Sequence, residues 1–365
     1  MKLEAFSVDE KSKKMQRNNS PLVIFGIILF LIGITLAIYQ SYAIFKLNEI
    51  HNFINTEIGN FNAVFCESCG TLKTVDGDFF GITALNNINE VVFTDTNEVP
   101  VGVVASHDVS AAGDESVMAW VENLPTGGVR ITIGADGGVR ANPDSHSLFA
   151  GLESLSRLDL THFYTHEATD MSNMFYRTGF NNSNFTLELG PNFDTSNVTD
   201  MSTMFSWIGF ANASFILDLG DKFDTSNVIN MASMFYAIGY SNPSFTHDLG
   251  DKFNTAKVTN MNSMFYRAGY NSSLFTLDLG PNFDTSNVTD MSSMFFRTGY
   301  NNPNFVLNMK VVSFRVGSIR TDMFGTINPG STIYAKDSTA KNMISSGTGL
   351  PLGVVVIDCS LNSCP

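Results

Sequence analysis

The residues that could carry chemistry recur at a fixed interval of 30. Glu188, Asp218, Asp248 and Asp278 form one series, continued by Asn308. Oxygen groups at an even spacing suit Ca²⁺ or a basic ligand. The same column is also tolerable as a plain solvated face, because like charges about 5 Å apart in water repel by only about 0.8 kcal/mol. Tyr176, Tyr236, Tyr266 and Phe296 form a second series, with Trp207 at the next position. Rings repeated along one edge can stack on sugars or anchor a protein partner. Packing between coils uses the same residue types. Apart from Asn308, these residues are the candidate ligand contacts.

Other chemistry-bearing residues read more plainly. Asp194, Asp224 and Asp284 sit in FDTSNV segments and are expected in turns. His162 and His166 are four apart, but on an irregular stretch, and read as a surface pair. Asn-X-Ser/Thr triplets such as Asn197-Val-Thr follow from the repeat consensus. Cys66-x-x-Cys69 and the distant Cys359 and Cys364 admit three arrangements. They could form a four-thiolate zinc site, two local disulfides, or one staple joining the ends of the array. An oxidoreductase built on Cys66 and Cys69 would normally need a βαβ context, which the surrounding sequence lacks. No phosphate loop, nucleophile elbow or paired carboxylates stand outside the repeat columns. No enzyme activity and no cofactor are expected.

Five copies of one 30-residue unit position these groups, with Met171, Met201, Met231, Met261 and Met291 as their first core residues. A unit this short cannot bury its own apolar face, so the copies must stack. In the copy from Asp200 to Asn230, Asp200 stands where a helix N-cap belongs. Met201, Met204 and Phe205 follow at helical spacing, and Gly209 at a left-handed terminus. Phe215 to Leu219 then alternates like a strand, with Asp218 outward. Asp224 and Asn227 turn the chain, and Phe223 and Val228 return to the core. Each coil is therefore expected to hold a short helix and a short parallel strand.

The segments Leu277-Asp-Leu-Gly-Pro-Asn-Phe-Asp-Thr-Ser-Asn-Val-Thr-Asp-Met291 and Phe283 to Phe295 are similar to the BspA-like leucine-rich-repeat surface proteins of bacteria. Ser106 to Trp120 resembles the segment that precedes the repeats in that family, and Thr332 to Asp337 its closing strand. The resemblance covers roughly residues 88–345. It implies a leucine-rich-type solenoid on the cell surface, used for adhesion or host contact. The excursion from Tyr176 to Asn184 is longer than the family's usual unit.

The flanks read as follows. Residues 1–20 form a cytoplasmic tail and 21–45 a transmembrane helix, because Leu22 to Ile44 carry no charge. These residues span roughly 34 Å as a helix, enough for a hydrocarbon core of about 30 Å. The run is longer than the apolar part of a signal peptide, and Ser41-Tyr42-Ala43 is a poor cleavage site. Lys2, Lys11, Lys13, Lys14 and Arg17 before it, against Lys46 after it, orient the N-terminus inward and the repeats outward. The expected location is thus a single-pass protein of the plasma membrane. Residues 46–61 read as a stalk helix, 62–146 as a small α+β flanking region, 147–325 as the solenoid and 326–365 as a capping segment. Within 62–146, Asn89 to Phe93 and Val129 to Ile133 read as strands, and Glu115 to Leu124 as a short helix. The chain carries 21 basic and 35 acidic groups, a formal net charge of −14. That balance excludes nucleic acid bound through phosphates. The expected partner is a protein or glycan on host or neighbouring cells, and the alternative is an envelope component without a dedicated ligand.

Overall fold

The computed structural model describes residues 87–364 apart from 111–113, 247–248 and 251. The uncharged run Leu22–Ile44, the stalk at 46–61, Cys66, Cys69, His247 and Asp248 lie outside the described residues. Among those described, no helix is long and apolar enough to cross a membrane.

The chain opens with β1 (Ile88–Thr94), β2 (Ala105–Asp108), β3 (Val117–Asn123) and β4 (Val129–Ala135). They join β6 (Arg157–Asp159) and β8 (Thr186–Glu188) in one sheet of order β2-β3-β4-β1-β6-β8, while the short strands β5 (Val139–Arg140) and β7 (Phe163–Tyr164) pair with each other. The pairs β2–β3 and β3–β4 are antiparallel; the others are parallel. Val91 pairs with Leu158, and Leu158 with Leu187, so the flanking region and the first coils share a sheet. The helix expected over Glu115 to Leu124 is instead β3. Val117, Ala119 and Val121 are buried on one face, and Trp120 is buried on the other. A strand buried on both faces loses its alternation, and a short apolar run of that kind mimics a helix stripe.

The short helix expected in each coil is also absent, which overturns the leucine-rich-type coil of strand plus helix. Residues 202–211 are a run of turns. Within the coil, Met204 N donates to Met201 O (3.2 Å) and Ser206 N to Thr203 O (3.0 Å). The intervening N–H groups point to the next coil: Met201 N to Asn230 O, Thr203 N to Ala232 O, Phe205 N to Met234 O and Trp207 N to Tyr236 O, all at 2.8–3.0 Å. Ser202, Met204 and Ser206 carbonyls accept in turn from Asn173, Phe175 and Arg177 of the preceding coil. Every second amide therefore serves the stack, whereas a helix would spend all of them inside the coil. The turns require left-handed residues, and Thr203 (φ 61°) and Trp207 (φ 60°) supply them. A turn every four residues buries Met201, Met204, Phe205 and Ile208. A helix of 3.6 residues per turn would bury the same set.

Gly239 is left-handed (φ 62°), and a Cβ there would lie 2.1 Å from the Phe245 ring. Its equivalents in the other coils meet the matching Phe, so the recurrent glycine both turns the chain and seats a core ring.

The core is a set of columns. Phe149, Phe175, Phe205, Phe235, Phe265, Phe295 and Phe324 stack in succession, with centroids 5.4–5.8 Å apart. Parallel bridges tie Asp144, Asp170, Asp200, Asn230, Asn260, Asp290 and Ile319 along the same edge. The strand edge is less continuous. Phe215–Leu219 keeps the expected inward Leu217 and Leu219, each 6% exposed, but has no strand pairing. The ladder resumes at β9 (Thr276–Asp278), β10 (Val306–Met309), β11 (Thr332–Ala335) and β12 (Val355–Asp358), a parallel sheet of order β12-β11-β10-β9. Helix α1 (Ser338–Ser345) is capped by Asp337, which accepts from Ala340 N at 2.8 Å. Cys359 and Cys364 form a local disulfide, so neither staples the C-terminus to a distant cysteine.

Candidate functional site

The turn run decides which rings face outward. With Met174, Phe175 and Thr178 buried, positions 176, 177 and 180 are left half-buried on the open side, and so are their equivalents in the other coils except the buried Ser206 and Ala237. At the first of these, Tyr236 and Tyr266 stack at 4.6 Å and 6°, and Tyr266 and Phe296 at 4.9 Å and 9°. At the last, Phe180, Phe210, Tyr240, Tyr270 and Tyr300 form a second, unbroken column with spacings of 4.6–5.1 Å. The second column was not among the sequence-derived candidates. Its signal was the aromatic residue after each recurrent glycine, which reads equally well as core.

Trp207 joins the two columns. Its ring lies 5.2 Å from Phe210, 5.4 Å from Tyr236 and 5.9 Å from both Phe180 and Tyr240. It stands beside Ser206, a buried residue that interrupts the first column between Tyr176 and Tyr236. The structure thus brings Trp207, Tyr236, Tyr266 and Phe296 together and leaves Tyr176 two coils away from the next ring of its own series. Arginines fill the position between the columns. Arg177 lies 4.0 Å over Phe180, Arg267 5.4 Å over Tyr266, and Arg297 5.6 Å from Phe296 and 5.7 Å from Tyr300. Arg177 also donates to Glu153 at 2.6 Å.

These contacts limit what the face can do. Rings stacked on one another have used their faces, so a ligand meets ring edges, tyrosine hydroxyls and guanidinium groups. Burial, then the neighbouring Tyr266, pushes the Tyr236 phenol above its ordinary pKa. It therefore remains an O–H donor at neutral pH.

The acidic series lies on another segment of the coil. Glu188, Asp218 and Asp278 are exposed. Arg157 reaches Glu188 at 3.4 Å, and Asn308 donates to Asp278 at 2.8 Å. Asp218 and Asp278 each accept from the glycine amide two residues on, at 3.0 Å. Asp218 also borders a cleft of about 710 Å³ with Ile216, Leu217, Asp221, Leu249 and Lys252. Lys222 and Lys252 stand where Asn192 clamps Thr161 O of the preceding coil at 3.1 Å. Asp194, Asp224 and Asp284 accept from Ser196, Ser226 and Ser286 amides at 2.8–3.0 Å, as turn residues do. His166 faces Glu167 at 3.5 Å. Among the described residues, no group of three or more His, Cys, Asp or Glu is placed to hold a metal ion.

No curated protein and no solved structure matches the chain. Residues 143–274 and 180–309, which hold the stacked coils and both aromatic columns, match the family described as "Mycoplasma protein of unknown function, DUF285".

Proposed function

We propose that the chain is a bacterial cell-surface binding protein of BspA-like character, whose repeat face engages an extended protein or glycan and has no catalytic role. The observation that carries this reading is the double aromatic column with its interleaved arginines. Tyr, Trp and Arg are the residues that concentrate binding energy at interfaces, and here they recur coil by coil on a half-exposed surface. Equivalent groups repeated at coil spacing let weak contacts add along one ligand. One further feature supports an exterior location: the Cys359–Cys364 disulfide, which persists in oxidising surroundings.

A screen of the full-length chain against glycans and matrix proteins tests the reading. A ligand whose affinity drops when ladder residues change would support it. An envelope spacer without a dedicated ligand is the second reading. It is favoured by one observation, that the ladder rings already satisfy each other's faces, and it predicts an empty screen.

A further inference from the structure

The C-terminal end of the array is a bare strand edge. Strand β12 pairs on one side only, with β11, in parallel register. Val355 N donates to Ser331 O and Cys359 N to Ala335 O, each at 3.0 Å. Backbone groups alternate in direction along a strand, so those of Val354, Val356 and Asp358 point away from the sheet. Two of them are already satisfied. Val354 N donates to Pro351 O at 3.4 Å, and Asp358 O accepts from Asn362 Nδ2 at 2.7 Å. Val354 O, Val356 N, Val356 O and Asp358 N have no hydrogen-bond partner among the described residues. The edge also lacks the charged side chain, proline or bulge that usually blunts one. Val355 is 52% exposed, and Leu352 and Leu361, before and after the strand, are 96% and 76% exposed. Asp358 is buried and accepts from Ser338 Oγ and, at 2.6 Å, from Ser360 Oγ. The opposite edge strand, β2, instead exposes the polar Ser106 and His107.

We infer that two copies of the chain pair through β12, antiparallel, about a two-fold axis at Val356; the inference does not depend on any ligand of the repeat face. In this register the two Val356 residues exchange both N–H···O=C bonds, and Asp358 N of each copy meets Val354 O of the other. Every open group thus finds its complement. The two groups that would otherwise face each other, Val354 N and Asp358 O, are the ones satisfied within each copy. A regular strand of another protein would set a carbonyl and an amide against those two, and both would lack a free partner. On the outer side Val355 faces Ile357 of the second copy, a cross-strand pair of branched apolar side chains. Charge also favours a second copy. The chain's formal net charge is −14, so most approaches between copies are repulsive. Residues 342–365 hold a single charged side chain, the buried Asp358. An isologous contact sets like against like, and this uncharged end tolerates that.

The test is sedimentation of the full-length chain in mild detergent over a range of concentrations. The contact is small, so the dimer should be weak, with Kd on the order of 10 µM. Val356→Pro replaces the outward N–H with a ring and leaves the bonds to β11 intact, a placement edge strands accept. Val355→Lys sets a charge against Ile357 of the second copy. Each should raise Kd by about tenfold or more, with a melting temperature within a few degrees of the parent's. Val101→Lys, at a fully exposed position in the N-terminal flank, should leave association unchanged. A parent that stays monomeric, or a dimer that survives both β12 variants, would overturn the inference. So would growth beyond dimers, as expected of copies stacked head to tail through β12 and β2. If Val356→Pro fails to fold, Val355→Lys decides the matter by the same readout.

Discussion

Thr195 and Asp224, one coil apart, are held by a reciprocal pair of bonds. Thr195 Oγ1 donates to Asp224 O at 2.9 Å, and Asp224 N donates back to Thr195 Oγ1 at 2.8 Å. Thr165, Thr225 and Thr255 repeat the arrangement with Asp194, Asn254 and Asp284. One buried hydroxyl column therefore stitches the coils together where the backbone ladder is sparse.

Thr225→Val should expose the value of that column. The substitution keeps the shape but leaves the Asn254 amide and carbonyl without their partner, in a position 0% exposed at Thr225. It should cost about 1–3 kcal/mol, whereas Thr225→Ser should cost much less. Urea denaturation of both variants is the check; equal midpoints would mean water replaces the hydroxyl.

The left-handed turn positions make an opposite prediction. Thr203 is β-branched and sits at φ 61°, where the preceding coil has Asn173 at φ 57°. Thr203→Asn should stabilise the chain by roughly 0.5–1 kcal/mol, part of the strain a branched residue bears there. A fall in the thermal midpoint would show that Thr203 is held by contacts that outweigh the strain.

The faces themselves are tested by Met234→Asp and Asp218→Ala. Met234 is fully buried and Asp218 is exposed. A charge among the stacked core columns should cost several kcal/mol. Removing the exposed carboxylate should change stability by no more than about 0.5 kcal/mol. Similar thermal shifts for the two would contradict the packing described.

Acid should weaken the array through Asp194. Burial pushes its carboxyl up, but hydrogen bonds from Ser196, with Lys222 and His166 nearby, outweigh that and hold it below the ordinary range. A depressed native pKa gives stability that is present above the unfolded value near 3.9 and lost as pH falls through the native value. Asp194→Asn keeps the turn acceptor and removes the titration. Its stability should therefore fall less between pH 5 and pH 2 than the parent's, as followed by urea unfolding across that range.

Much of this was legible in the sequence. The 30-residue interval identified the coils, and Met204, Phe205, Phe215 and Val228 are buried as the pattern required. The turn role of Asp224 followed from its side chain. The coil's secondary structure was not legible, because a four-residue turn repeat and a helix bury the same positions. What separates them is where Thr203 and Trp207 send their amides, and only the stack decides that. The aromatic face was half visible. The tyrosine series stood out because its members align, while the column headed by Phe180 looked like core.

The most direct test of the binding face is Tyr236→Ser/Tyr266→Ser, measured against whichever ligand the glycan and matrix-protein screen returns. Serine is the informative substitute, since Ser206 already occupies that column in a neighbouring coil. Affinity should fall by about tenfold or more, while the melting temperature shifts by only a few degrees. Full affinity in the folded double variant would contradict the assignment of this face as the binding surface.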